Sequence, residues 1–151
     1  MPLADRIKSD LHAALKGGDA FATGVLRYLL AQLHNREIEK KTQGSGGALS
    51  DEEAVAVLQK EAKKRKEAAA LFTKGGRNDL AEQELREHDV ITSYIPAQLS
   101  DEEIVKVIDE LISRHSDFGA LMRETMGRVK GRADGKRVGE LVKKRLGAAP
   151  Q

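Results

Sequence analysis

Cysteine is absent from the 151 residues, which excludes disulfides, thiolate metal sites and cysteine nucleophiles together. Nothing in the composition asks for an oxidising compartment. Tryptophan is also absent and aromatic residues make up 3% of the chain, so Leu, Val, Ile and Ala must supply most of any core. No apolar run approaches the ~18 residues that suggest a membrane span, and Asp5 follows Met1 too closely for the apolar region of a signal peptide. A cytoplasmic location without membrane attachment is the expectation. The sequence also lacks a G-x-x-x-x-G-K-S/T phosphate loop, a G-x-S-x-G elbow and an H-E-x-x-H metal motif. These gaps point to a protein that is not an enzyme, with no catalytic residue, no cofactor and no metal.

What the chain does have is charge, at 33% of residues, and a length that suits one compact domain or two small ones. The net charge is only +2, but it is unevenly placed. Residues 1 to 96 hold fifteen basic and fifteen acidic side chains. Residues 97 to 118 hold two basic against six acidic, and residues 119 to 151 hold nine basic against three acidic. That last segment therefore carries +6, a local field that attracts polyanions.

Apolar residues recur at helical spacing throughout, and strict alternation over a strand length does not occur, so an all-α fold is predicted. A first helix over about residues 3 to 16 ends at Gly17-Gly18, and Asp19 is placed to cap a second that runs to about Lys41. The second carries Val25, Leu26, Leu29, Leu30 and Leu33 inward before Gly44 to Gly47 break it. Ser50-Asp51-Glu52-Glu53 has capping-box form and opens a third helix ending near Gly75-Gly76. Asn78 or Asp79 then starts a fourth, which Pro96 stops. Pro96-Ala97-Gln98-Leu99 reads as a linker between an N-terminal four-helix domain, 1–96, and a small three-helix domain, 97–151. The second part opens with another capping box, Ser100-Asp101-Glu102-Glu103, and its sixth helix is capped by Asp117 with Phe118, Leu121, Met122 and Val129 as core candidates. A seventh follows the break at Gly131 to Gly135 with Val138, Leu141, Val142 and Leu146 inward.

His12, His34, His88 and His115 fall on different predicted helices without metal-ligand spacing, so surface or partly buried histidines are the better reading. Acidic residues cluster in first turns and on exposed faces, where solvated carboxylates are the default. The run Lys60, Lys63, Lys64, Arg65 and Lys66 is interleaved with Glu61 and Glu67 and reads as a solvated helix face sooner than as a docking surface. The stretch from Lys130 to Arg137 carries more. Gly131 can end one helix, Asp134 can cap the next, and Lys130, Arg132, Lys136 and Arg137 surround the turn. The turn is either a purely structural connection or a phosphate contact, and Asp134 would compete with an anion for the same amides. Arg128, Lys143 and Lys144 could extend the surface as further RNA-binding residues, or Lys143-Lys144-Arg145 could simply complement the C-terminal dipole end of the last helix. Most of Phe21, Tyr28, Phe72, Tyr94 and Phe118 sit in predicted core stripes, which leaves few rings for base stacking. If RNA binds, its folded shape would be recognised through phosphates and riboses, with strong salt dependence.

The stretch Gly76-Arg77-Asn78-Asp79-Leu80, then Glu84, Glu87, Ile91 and Tyr94 to Ser100, resembles the junction of the GatB/YqeY family. Met126 to Lys136 with Val138 is similar to that family's most recognisable motif, and the likeness extends to Arg27 with Val25, Leu26 and Leu30. At the aligned positions of the sixth helix, where the family often has Gly-Lys and Met-Gly, this chain has Gly119-Ala120 and Met122-Arg123. The resemblance implies a free-standing protein similar to the helical tail of the GatB subunit of the tRNA-dependent amidotransferase, the part associated with gripping tRNA. The glutaminase and the ATP-dependent activation of that enzyme lie outside such a tail, so a carbon-nitrogen ligase label using glutamine would be inherited from the full subunit. The leading expectation is a non-catalytic tRNA-binding or tRNA-metabolism accessory protein. The alternative is an interaction module that docks an aminoacyl-tRNA synthetase or amidotransferase through an exposed apolar groove of the N-terminal helices.

Overall fold

The computed structural model describes residues 1–129 and 131–148, and the candidate residue Lys130 therefore lies outside the described residues. Seven helices and no strand occur among the described residues. The chain divides into two compact units, Met1–Ile95 and Pro96–Gln151.

The first unit contains α1 (Leu3–Gly17), α2 (Ala20–Thr42), α3 (Asp51–Lys74) and α4 (Asn78–Thr92). Its helix ends follow from local chemistry. Gly18 takes the left-handed conformation at φ 71° that closes α1, and the Asp19 carboxylate accepts from the Ala22 amide at 3.0 Å to open α2. The α3 capping box forms in both directions, with the Glu53 amide donating to Ser50 Oγ at 3.2 Å and the Ser50 amide donating to Glu53 Oε2 at 2.8 Å. The fourth helix starts at Asn78, as the sequence predicts. The Arg77 amide reaches back to the Phe72 carbonyl at 2.8 Å, so the Gly75-Gly76 turn places Arg77 at the cap position and Asn78 and Asp79 in the first turn. Ile7, Leu29, Leu58 and Ile91 are fully buried, one from each helix, and Tyr94 closes the same core. The Tyr94 hydroxyl donates to Asp10 Oδ2 at 2.5 Å, and burial together with that bond holds the phenol well above its ordinary pKa.

The second unit contains α5 (Asp101–Ile112), α6 (Phe118–Val129) and α7 (Gly135–Ala148). Ser100 and Glu103 repeat the capping box at the start of α5, and Asp117 caps α6 through the Ala120 amide at 3.0 Å. Ile108, Leu121, Val129, Val138 and Val142 are fully buried at its centre. Phe118 differs from the core placement that its helical phase predicts. It stands at the first residue of α6, one turn before Leu121 but beyond the reach of the core, and is 45% exposed.

Two of the other four rings also differ from the core assignment. Tyr28 is exposed and Phe72 is half-buried outside the core, whereas Phe21 packs against the core of the first unit. Arginines cover three of the five rings, with Arg86 at 4.2 Å from the Phe21 centroid, Arg65 at 4.8 Å from Tyr28 and Arg6 at 4.9 Å from Tyr94. Phe21 and Tyr28 lie at the margin of the apolar stripes, where a guanidinium can lie flat on one face and stay wet on the other.

Candidate nucleic-acid interface

The α6–α7 turn is built by Gly131, Ala133 and Asp134. Gly131 has φ 78°, a backbone region that a Cβ disfavours, and so reverses the chain where α6 stops. Ala133 is buried at 9% exposure and anchors the turn to the core. The Asp134 carbonyl and carboxylate accept from the Val138 amide at 3.0 Å and the Arg137 amide at 3.3 Å, which opens α7. Asp134 thereby occupies amides that an anion would otherwise use, so any phosphate contact here rests on side chains. Gly135 is the first residue of α7.

The segment that reads as a linker is pinned to this turn. The Leu99 amide donates to the Arg132 carbonyl at 2.7 Å, and Gln98 Nε2 reaches the Gly131 carbonyl at 3.5 Å. Two stretches that carry the family resemblance therefore meet within one unit, although they lie more than thirty residues apart.

The candidate cations sort into two groups. Arg137 holds Asp101 through two of its nitrogens and Glu140 at 3.0 Å, Arg128 holds Glu110 at 2.7 Å, and Arg145 holds Asp109 at 2.7 Å. Asp101 and then Glu140 hold the Arg137 guanidinium above its ordinary pKa, and Arg137 holds the Asp101 carboxyl below its own. Asp101 to Arg137 and Asp109 to Arg145 share an offset of 36 residues, which means that α5 and α7 run parallel. The acidic first half of the unit thus neutralises part of the basic second half. From residue 96 onward the chain has eleven basic and nine acidic side chains, a net +2 where the last segment alone carries +6.

Arg132, Lys136 and Lys143 form the second group. Each is exposed, and none has a side-chain partner among the described residues. Lys144 is exposed as well and feels Asp101 only through space. Lys136 and Lys143 are seven residues apart, so they share one face of α7 about 10 Å apart along the axis. Sequence spacing alone does not separate these cations from the paired arginines, because the pairing acids lie on a different helix.

A second polar cluster is hidden from the sequence. Glu61 is not the solvated carboxylate expected of its run but is 2% exposed, since α3 turns it toward α2 and α4. Lys64 Nζ lies 3.3 Å and Arg65 Nη1 3.6 Å from its carboxylate, and Arg65 Nε also meets Glu87 at 2.9 Å. Burial works against the Arg65 charge, but Tyr28, Glu87 and Glu61 outweigh it and raise its pKa. Beside this cluster an open hollow of about 340 Å³ lies between α2 and α3, lined by both signs of charge, including Arg36, Glu39, Lys60 and Lys64. Among the described residues no three His, Asp or Glu side chains gather in a way that could hold a metal. No helix among them is long and apolar enough to cross a membrane.

Comparison with known proteins adds the family. Residues 4–146 match the model of the family described as Yqey-like protein. The chain is 31% identical over 113 residues to "Altered inheritance of mitochondria protein 41, mitochondrial" of Clavispora lusitaniae, covering 74% of this chain and 63% of that protein. It is 35% identical over 78 residues to a glutamyl-tRNA(Gln) amidotransferase subunit of Sulfurisphaera tokodaii, covering 46% of this chain and 12% of that subunit. The chain thus spans less than two thirds of each relative. With a match that runs through all seven helices, this chain belongs to the YqeY-like family.

Proposed function

We propose that this protein is a non-catalytic accessory of tRNA metabolism that binds folded tRNA through the basic face of its C-terminal unit. The observation that carries this reading is the set of exposed, unpaired cations Arg132, Lys136 and Lys143, joined by Lys144. A polyanion can engage them without first breaking an ion pair, whereas Arg128, Arg137 and Arg145 would have to leave α5. The relative named as a tRNA amidotransferase subunit supports tRNA as the ligand. Catalysis would reside in other chains, and the cytosol or an organelle matrix would suit the function equally.

The test is tRNA binding titrated across salt concentration, with wild type beside a variant in which Arg132, Lys136, Lys143 and Lys144 are all replaced by alanine. Each lost phosphate contact should flatten the log-log salt slope by about 0.7 to 0.9. The expected result is weaker binding and a shallower slope. Equal slopes for the two proteins would remove this face from the account.

A second reading has its own observation. A hollow of about 350 Å³ between α1 and α2 is lined by Ala14, Leu15, Ala20, Gly24 and Arg27, and Leu15 is 45% exposed there. It suits an apolar side chain of a synthetase or amidotransferase partner. A pull-down that survives nuclease and is lost in Leu15→Asp would favour it.

A further inference from the structure

Phe118 at the start of α6 lines an open hollow of about 400 Å³ with Lys143 and Leu146 of α7. Two aromatic rings in the described chain are exposed, Tyr28 and Phe118. Tyr28 already lies under the Arg65 guanidinium at 4.8 Å, while no cation lies over Phe118 among the described residues. An exposed ring beside an apolar side chain costs solvation and invites a flat apolar partner. The cation on the rim of this hollow, Lys143, has no acid holding it among the described residues. Asp117, the adjacent acid in sequence, accepts from the Ala120 amide and serves the α6 cap. Lys136 lies two turns away on the same face of α7, which makes the approach to the hollow positive.

An apolar face beside an unpaired cation matches a nucleotide, whose base offers a π-face and whose phosphate offers charge. We propose that the Phe118 hollow receives one unpaired nucleobase of a bound RNA, stacked on the ring, while Lys143 takes an adjoining phosphate. This rests on the tRNA reading above and deepens it. RNA bound only through phosphates of a duplex would leave the hollow empty, so the preferred ligand is a folded RNA that displays an unstacked base. An apolar side chain of a protein partner would use the ring but not the cation.

The absence of tryptophan supplies the test, because Phe118→Trp places a single indole reporter in the full chain. Binding of total tRNA and of a blunt RNA duplex is followed both by anisotropy of labelled RNA and by the emission of that indole. The expected result is saturable quenching of the indole by tRNA, with the same midpoint as the anisotropy, and none by the duplex. Phe118→Leu, which keeps an apolar group beside Leu146, should bind tRNA about tenfold more weakly with an unchanged salt slope. If wild type binds tRNA while Phe118→Leu binds equally well and the indole emission stays constant, the base-stacking proposal falls and the tRNA reading stands. If wild type binds no tRNA, both fall.

Discussion

Glu61 and Arg65 form a cluster in which each charge depends on the other. The Glu61 carboxylate is 2% exposed, and its Oε2 has no hydrogen-bond donor within bonding geometry, so the nearby guanidinium is what offsets its burial. Arg65→Ala would leave that carboxylate buried beside Lys64 alone and would uncover the Tyr28 ring. A loss of about 2–3 kcal/mol in unfolding free energy is expected, measured by urea denaturation. Pairing Arg65→Met with Glu61→Leu should recover part of that loss, because the buried carboxylate's desolvation cost goes while Glu87 still loses its partner. A single Arg65→Ala variant as stable as wild type would show that Glu61 is satisfied without it. In the sequence Glu61 is only one acid inside a basic run. Its burial depends on Glu84 and Glu87 of another helix, which bring Arg65 inward.

Helix ends are legible in the sequence because a cap is chemistry within four residues. Ser50 with Glu53 and Ser100 with Glu103 form the same reciprocal bonds, as their shared Ser-Asp-Glu-Glu spelling predicts. The all-helical class and the order of the seven helices are readable because apolar residues recur at helical spacing between those ends. The pinning of Leu99 onto Arg132 is not, because the partners lie 33 residues apart and a backbone carbonyl has no signature in the sequence. Phe118 departs from its expected place because helical phase gives a residue's direction but not how far its end of the helix stands from the core. One cap carries a pH signature. Lys40 Nζ donates to Glu53 Oε2 at 2.8 Å, and this bond, followed by the Ser50 amide, lowers the Glu53 pKa from 4.5 to about 2. A carboxylate with a depressed folded pKa stabilises the fold above its unfolded value and loses that contribution as pH falls through the folded one. The α3 start should therefore loosen between about pH 4.5 and 2. In a carboxyl NMR titration, Lys40→Met should move the Glu53 midpoint upward, and an unmoved midpoint would assign the depression to the Ser50 amide alone.

At the scale of the molecule, the two cores share no residue. One is built from Leu3 to Tyr94 and the other from Ile104 to Val142. Residues 96–151 are at the small end of what folds unaided, but they bring five fully buried aliphatic side chains and three capping devices of their own. Expressed alone, this piece should give a dispersed amide spectrum and keep most of the tRNA affinity. Residues 1–95 should fold and bind no tRNA, and affinity found in that half would move the RNA surface away from α7. The matched 36-residue offset between α5 and α7 also constrains how the chain can change in length. Inserting one residue between Asp101 and Asp109, or between Arg137 and Arg145, rotates one partner by about 100° and breaks a pair. Residues added to the Ser113–Ser116 turn leave both spacings intact, so natural and engineered insertions should accumulate there and avoid the two paired helices.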